Sequence, residues 1–258
     1  MSGVQKGIKI AAIVLAIFII CIIINAILSL IGFLGFSNGD NEFTQSYEDI
    51  SSIEIDLTSA NVEIKEGSEF RVEATNVSDN FKVRERNGNL YIEEDNFWLW
   101  NNSGGEVIIY VPQELNQLDI DTGAGSTIIS SITASRLNVD QGAGRIEIND
   151  ASFANSEIDG GTGTITVANS IFSNMELDSG VGKIEFTGQI LGRSSIDSGI
   201  GEINLNLTGG EELYTLTIDK GLGDLKINNN SYSSTIYGSG TNRIEIDGGV
   251  GEININFL

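Results

Sequence analysis

Seven aspartates recur in one setting, and their type and spacing could do chemistry. Asp121, Asp140, Asp159, Asp178, Asp197, Asp219 and Asp247 each head a repeat of the signature φ-x-φ-Asp-x-Gly-x-Gly-x-φ-x-φ, where φ is mainly apolar, at intervals of 19, 19, 19, 19, 22 and 28 residues. A column of carboxylates could hold a row of divalent cations, or two neighbours could cleave a glycosidic bond as acid and base. A structural use competes with both: each carboxylate accepts N–H groups of its own Gly-x-Gly corner in an Asx-type turn. Stacked ~4.8 Å apart, unit charges repel by ~1 kcal/mol in water and several-fold more at lower dielectric, so each Asp needs a partner. The Asx turn is the favoured answer. Calcium-binding nonapeptide solenoids need Gly-Gly-x-Gly-x-Asp, whereas here Gly160-Gly161-Thr162-Gly163-Thr164 is followed by Ile165.

Catalysis is disfavoured on similar grounds. Glycan-cleaving sites sit on long loops that make a cleft, and the acidic residues here follow the repeat instead of gathering at one odd place. There is no histidine, no Ser or Cys nucleophile beside a base, no phosphate-binding loop opening a helix and no cluster with metal-ligand spacing. No catalytic, cofactor-binding or metal-binding residues are therefore expected.

The element that must position the aspartates is read from the glycines. Corner glycines accompany every Asp: Gly123 and Gly125, Gly142 and Gly144, Gly161 and Gly163, Gly180 and Gly182, Gly199 and Gly201, Gly221 and Gly223, Gly249 and Gly251. Leu137 and Val139 share one face, and so do Ile146 and Ile148, but the two pairs are an odd number of positions apart. A corner at Asp-x-Gly-x-Gly lets both strands point inward. Each glycine that geometry did not require would weaken a strand by roughly 0.5–1 kcal/mol, so fourteen would cost ~7–14 kcal/mol, as much as a domain's net stability. One period thus reads as one rung of a β-solenoid, with seven rungs ~34 Å long. Stacking makes a column Ile146–Ile165–Ile184–Ile203–Leu225–Ile253, and Ala134, Phe153, Phe172 and Leu191 supply a third inward position. Lys183 and Glu202 become rung neighbours, and Thr166 separates Glu147 from Glu185. Extra residues fall near 208–213 and 228–243, the latter with Gly238-Ser239-Gly240, a degenerate corner or a partial rung.

Composition sets the surroundings. Asp and Glu outnumber Lys and Arg 36 to 14, a formal charge of −22, which argues against nucleic acid and against docking of the domain on anionic lipid. Residues 8–36 are almost wholly apolar, long enough for a transmembrane helix with room to tilt. Lys6 and Lys9 lie at its start, and Asp40, Glu42, Glu48 and Asp49 follow it. The positive-inside rule then puts residues 1–7 in the cytoplasm as a tail and the C-terminal domain outside. The run is too long for a signal peptide and lacks a small-x-small site. Cys21, the one cysteine, lies within it, so no intrachain disulfide forms.

Residues 37–49 read as a spacer, 50–117 as a β-rich lead-in and cap region, and 118–258 as the solenoid repeats. The cap alternates in short strands, with Asn87-Gly88 as a hairpin turn and Pro112 closing the last strand. It would shield the open end of the stack. Phe97-Trp98-Leu99-Trp100 holds both tryptophans. It is a contact loop, a membrane-touching loop, or a plug of the core's end.

The strand ending in Val107-Ile-Ile-Tyr-Val-Pro112, the Leu-x-Ile-Asp-x-Gly-x-Gly-x-Ile-x-Ile repeats and the closing Ile244-Glu-Ile-Asp-Gly-Gly-Val-Gly-Glu-Ile-Asn-Ile255 together resemble the bacterial putative-adhesin family. These are β-strand-repeat domains of unknown function, often fused to a membrane anchor, and the likeness covers roughly residues 50–257. The resemblance implies an all-β, single-stranded β-solenoid (β-helix) on a bacterial cell envelope, with no catalytic residues to carry over. The expectation is thus a single-pass membrane protein displaying an acidic, non-enzymatic solenoid for adhesion, scaffolding or an accessory role in envelope stress. Its partners would be the membrane, through the N-terminal helix, and an envelope protein or glycan. A carbohydrate-active β-helix enzyme is the alternative, and a cation-dependent structural rod is a third reading.

Overall fold

Alternating side chains and glycine corners wind the described residues between 41 and 258 into one sheet of sixteen strands. The computed structural model describes residues 41–94, 104–112 and 114–258. The helix expected at 8–36, Cys21 and the loop Phe97, Trp98, Leu99 and Trp100 lie outside the described residues. Among the described residues no helix is long and apolar enough to cross a membrane.

In chain order the strands are β1 (Asn41–Tyr47), β2 (Ser52–Glu66), β3 (Phe70–Val77), β4 (Phe81–Arg86), β5 (Asn89–Glu94), β6 (Gly105–Val111), β7 (Leu115–Ser130), β8 (Thr133–Asn149), β9 (Ser152–Ser173) and β10 (Met175–Leu191). They continue with β11 (Arg193–Leu207), β12 (Tyr214–Asp219), β13 (Leu222–Ile227), β14 (Asn230–Tyr232), β15 (Thr235–Gly238) and β16 (Asn242–Phe257). β1 occupies most of the stretch read as spacer, because Phe43 and Tyr47 pack against the core while the strand pairs antiparallel with β3.

From β7 to β11 each strand lies parallel on the next, in register, with Ile146, Ile165, Ile184 and Ile203 as direct partners. The ladder resumes in register past the Gly-x-Gly corner, where the first glycine of each pair drops out of the pairing. A second corner uses short polar residues in the left-handed region, at Ser131, Asp150 and Asn169 with φ of 58°, 53° and 51°. Phe153, Phe172 and Phe186 are fully enclosed, with ring centroids 5.3 and 5.8 Å apart.

The third inward position is Ile190, not Leu191. The register slips between Thr187 and Gly188, so Gly188 faces Ser170 and Asn169 has no partner. Ile190 then stands beside Phe172, and Leu191 turns half outward. One strand simply has one residue fewer than its neighbour.

The order of levels differs from the order of the repeats. β16, the last strand in the chain, lies between β11 and the broken level formed by β12 and β13. The core column therefore runs Ile203–Ile253–Leu225, and not Ile203–Leu225–Ile253. The extra residues make this possible. Residues 228–243 are neither a corner nor a partial rung: β14 folds back antiparallel on β13, and β15 on β12.

The other end repeats the plan. β2 is a full level beneath β7, and β5 and β6 form a broken level on its far side. β4 covers β5 and β3 covers β6, both antiparallel. Asn87 and Gly88, at φ 55° and 77°, make the β4–β5 turn, and Pro112 follows β6. Nine parallel levels result, two more than the seven glycine motifs alone indicate.

Candidate functional site

The position that heads each repeat becomes a ladder of acids. Asp56, Asp121, Asp140, Asp159, Asp178, Asp197, Asp247 and Asp219 are partners in that order, and Glu93 continues the row beyond Asp56. All point away from the core. Asp56 escapes a search for the glycine motif because Thr58-Ser59-Ala60 stands where Gly-x-Gly would be, and Glu93 because it is neither an Asp nor followed by glycines. The half-motif Ile53-Glu-Ile-Asp56 was the available signal.

The paired glycines hold this ladder in register by two different means. At the first, space decides: a Cβ on Gly142 would meet the Gly123 carbonyl oxygen at 2.7 Å, and one on Gly180 the Gly161 oxygen at 2.5 Å. At the second, conformation adds to space. Gly182 has φ +154°, and a Cβ there would overlap the Gly163 carbonyl oxygen on the level below. Gly123, Gly161, Gly199 and Gly249 meet a neighbouring carbonyl as Gly180 does, and Gly125, Gly144, Gly163, Gly201 and Gly251 repeat Gly182. Gly223 lies on Gly251, while Gly221 sits in the break between β12 and β13.

The expected Asx turn forms at Asp219 alone among the described residues, where Gly221 N–H donates to Oδ1 at 3.1 Å. In the regular levels no such bond forms among the described residues, and each Asp lies directly beside the Asp of the next level. Burial, then the charges of Asp140 and Asp56, push the Asp121 carboxyl above the usual range. Burial and the Asp197 and Asp159 charges do the same to Asp178, which also shares a hydrogen bond with Asp197. Asp197 is raised by burial and by Asp247, and the bond from Asp178 partly offsets this. Among the described residues no three acidic groups converge to hold one metal ion; the carboxylates form a row, not a cage.

Two shallow grooves flank the row. One, of about 480 Å³, is lined by Asp159, Asp178, Asp197, Asp247 and corner glycines. The other, of about 690 Å³, includes Gln117, Arg136, Asn155, Glu157, Arg193 and Glu245. Much of its polarity is spent internally: Gln117 Nε2 donates to Asp119 Oδ2 at 2.6 Å, and Asn174 Nδ2 to the Ala154 carbonyl at 3.4 Å. Just inside the corner, the buried Gln141 accepts from Thr127 Oγ1 at 2.8 Å and donates to the Gly125 carbonyl at 3.2 Å. It is a satisfied core amide rather than a reacting group. The arrangement can bind repeated cationic groups along its length, and it offers no unique acid–base pair.

Comparison with known proteins bears on the fold. The model of the Toastrack DUF4097 family matches residues 50–243. No curated protein matches the chain. A solved structure described as a putative adhesin, from Bacteroides fragilis, is 16% identical over 86% of this chain and 100% of its own, with a TM-score of 0.53. A putative cell adhesion protein from Clostridium sporogenes is 17% identical over 84% and 99%, with a TM-score of 0.33. A putative lipid binding protein from Parabacteroides distasonis is 15% identical over 86% and 98%, with a TM-score of 0.40. The likeness to the first supports an all-β, solenoid-like fold.

Proposed function

The chain belongs to the Toastrack DUF4097 family, and from that premise we propose that it is a non-enzymatic binding module of the bacterial cell envelope. The apolar run at 8–36 anchors it as a single-pass membrane protein, residues 1–7 lie in the cytoplasm, and the acidic β-domain stands outside. There it offers a surface for adhesion, scaffolding or envelope-stress signalling to a protein or glycan partner. The observation that carries the reading is the regularity of the acidic ladder. The same carboxylate recurs on eight levels, with no departure that would make a single reacting centre. The name of the Bacteroides fragilis structure points the same way.

Proximity labelling from the intact envelope, with the full chain as bait, tests this. Envelope proteins or glycans should be captured, and fewer should remain when Trp98→Ala/Trp100→Ala removes the contact loop. Protease added to intact cells should digest the domain. Resistance of the domain in intact cells, or glycan cleavage abolished by Asp178→Asn, would overturn the proposal.

A further inference from the structure

The two ends of the sheet treat their open edges differently. At the N-terminal end the outer strands are β1, which carries Glu42, and β4, which carries Lys82, Arg84, Glu85 and Arg86. Charges on an edge strand discourage pairing with another chain. At the C-terminal end, β14 and β15 read Asn-Ser-Tyr and Thr-Ile-Tyr-Gly and carry no charge. Among the described residues β15 pairs with β12 alone, so its second edge of backbone N–H and C=O groups is open. Ile236, at its centre, is 72% exposed, the most exposed large apolar side chain among the described residues.

Beside that edge lies a groove of about 350 Å³, lined by Asp219, Glu245 and Asp247 together with Thr217, Thr235 and Ile236. No lysine or arginine lines it among the described residues. Ile236 is the partner of Thr217, and Thr217 the partner of Glu245, so the apolar side chain and the carboxylate share one face. Asp219 is fixed in place: its Oδ1 accepts from Gly221 N–H and from Ser234 Oγ, both at 3.1 Å.

We propose that β15 is a docking edge for an extended, cationic segment of a partner protein, which adds as a further strand beyond Thr235–Gly238. The inference rests on the reading of the domain as a binding module. Backbone pairing with β15 supplies the affinity, and alternate side chains supply the selectivity. The stem of a lysine or arginine lies across Ile236 with its charged head toward Asp219, while Asp247 and Glu245 add attraction from further inside the groove. A second copy of this chain is the poorer occupant, since it would bring the same three carboxylates and a formal charge of −22 to the interface.

Full-length chain in nanodiscs of zwitterionic lipid is titrated into a fluorescent peptide of alternating lysine and valine. Saturable binding that weakens with salt is expected, with protection of the Thr235–Gly238 amides from hydrogen exchange. Ile236→Lys, at an exposed position, should weaken it about tenfold or more, and Asp219→Asn by a smaller factor. Equal binding of a proline-interrupted peptide would mean bare electrostatic attraction and would overturn the proposal. So would an affinity that Ile236→Lys leaves unchanged, or self-association of the wild type that Ile236→Lys abolishes. A chain that fails here yet still captures envelope partners loses this edge, not its role as a binding module.

Discussion

The middle of the stack and its two ends solve different problems with the same strands. From β7 to β11, sequence order and spatial order coincide, and every level closes on a glycine corner. At each end the outermost level is broken in two, β5 with β6 and β12 with β13, and each half is covered by an antiparallel strand. The strands nearest the chain's ends of the stack, β2 and β16, are tucked one level inside, with a parallel neighbour on both sides. A parallel stack cannot close on itself, so its edges need cover. Burying the terminal strand also keeps it from fraying, because it cannot leave without breaking two ladders.

The sharpest contrast is in packing. Phe172→Ala removes a fully enclosed ring from the middle of the stack and should cost about 3–5 kcal/mol. Phe81→Ala, in the half-buried N-terminal cap, should cost about 1 kcal/mol. Urea unfolding of both variants gives the comparison. Corners come next. Gly182→Ala forces a Cβ into the Gly163 carbonyl and should cost about 2–4 kcal/mol. Gly104→Ala, at φ +52° with open space around it, should cost about 1–2 kcal/mol. Equal losses would mean that close approach of levels is not what selects glycine.

The acidic ladder predicts a smaller, pH-dependent effect confined to the stack. Asp121, Asp178 and Asp197 have raised carboxyl values in the folded protein. Their contribution to stability is thus fully present below the unfolded value, ~4, and is lost as pH rises through the folded one. Thermal midpoints should rise on acidification from neutral pH. Asp178→Asn should flatten that rise and stabilise the neutral protein by about 0.2–1 kcal/mol. Smallest of all is the surface pair of Lys183 with Glu185 at 2.6 Å and Glu202 at 3.6 Å. Lys183→Ala should leave stability nearly unchanged, and salt should screen away what difference there is.

Legibility followed the same division. The four equal intervals reveal the regular levels, because a fixed corner and a fixed register demand a fixed count. The thirteen-residue spacing points to Leu191 for the inward place that Ile190 takes, since a bulge leaves no mark in an apolar pair. An Asp beside its own glycines implies an Asx turn, whereas the sheet sets each Asp beside the next and closes that turn at Asp219 alone among the described residues. β16 shows why level order was hidden. Asp219 and Asp247 carry the same motif, and nothing in it states which lies against Asp197; only the length of the 228–243 excursion hints that the chain travels out and returns.

Threading of β16 is tested most directly by cross-linking. Asn254 lies between Asn204 and Lys226, its partners on either side, so Asn204 and Lys226 are about 10 Å apart. In a Cys21→Ser background, a short bis-thiol reagent should join Asn204→Cys to Asn254→Cys rapidly and Asn204→Cys to Lys226→Cys poorly. Rapid joining of Asn204→Cys to Lys226→Cys, with Asn254→Cys unreactive toward Asn204→Cys, would place the levels in chain order and contradict the tucked-in terminal strand.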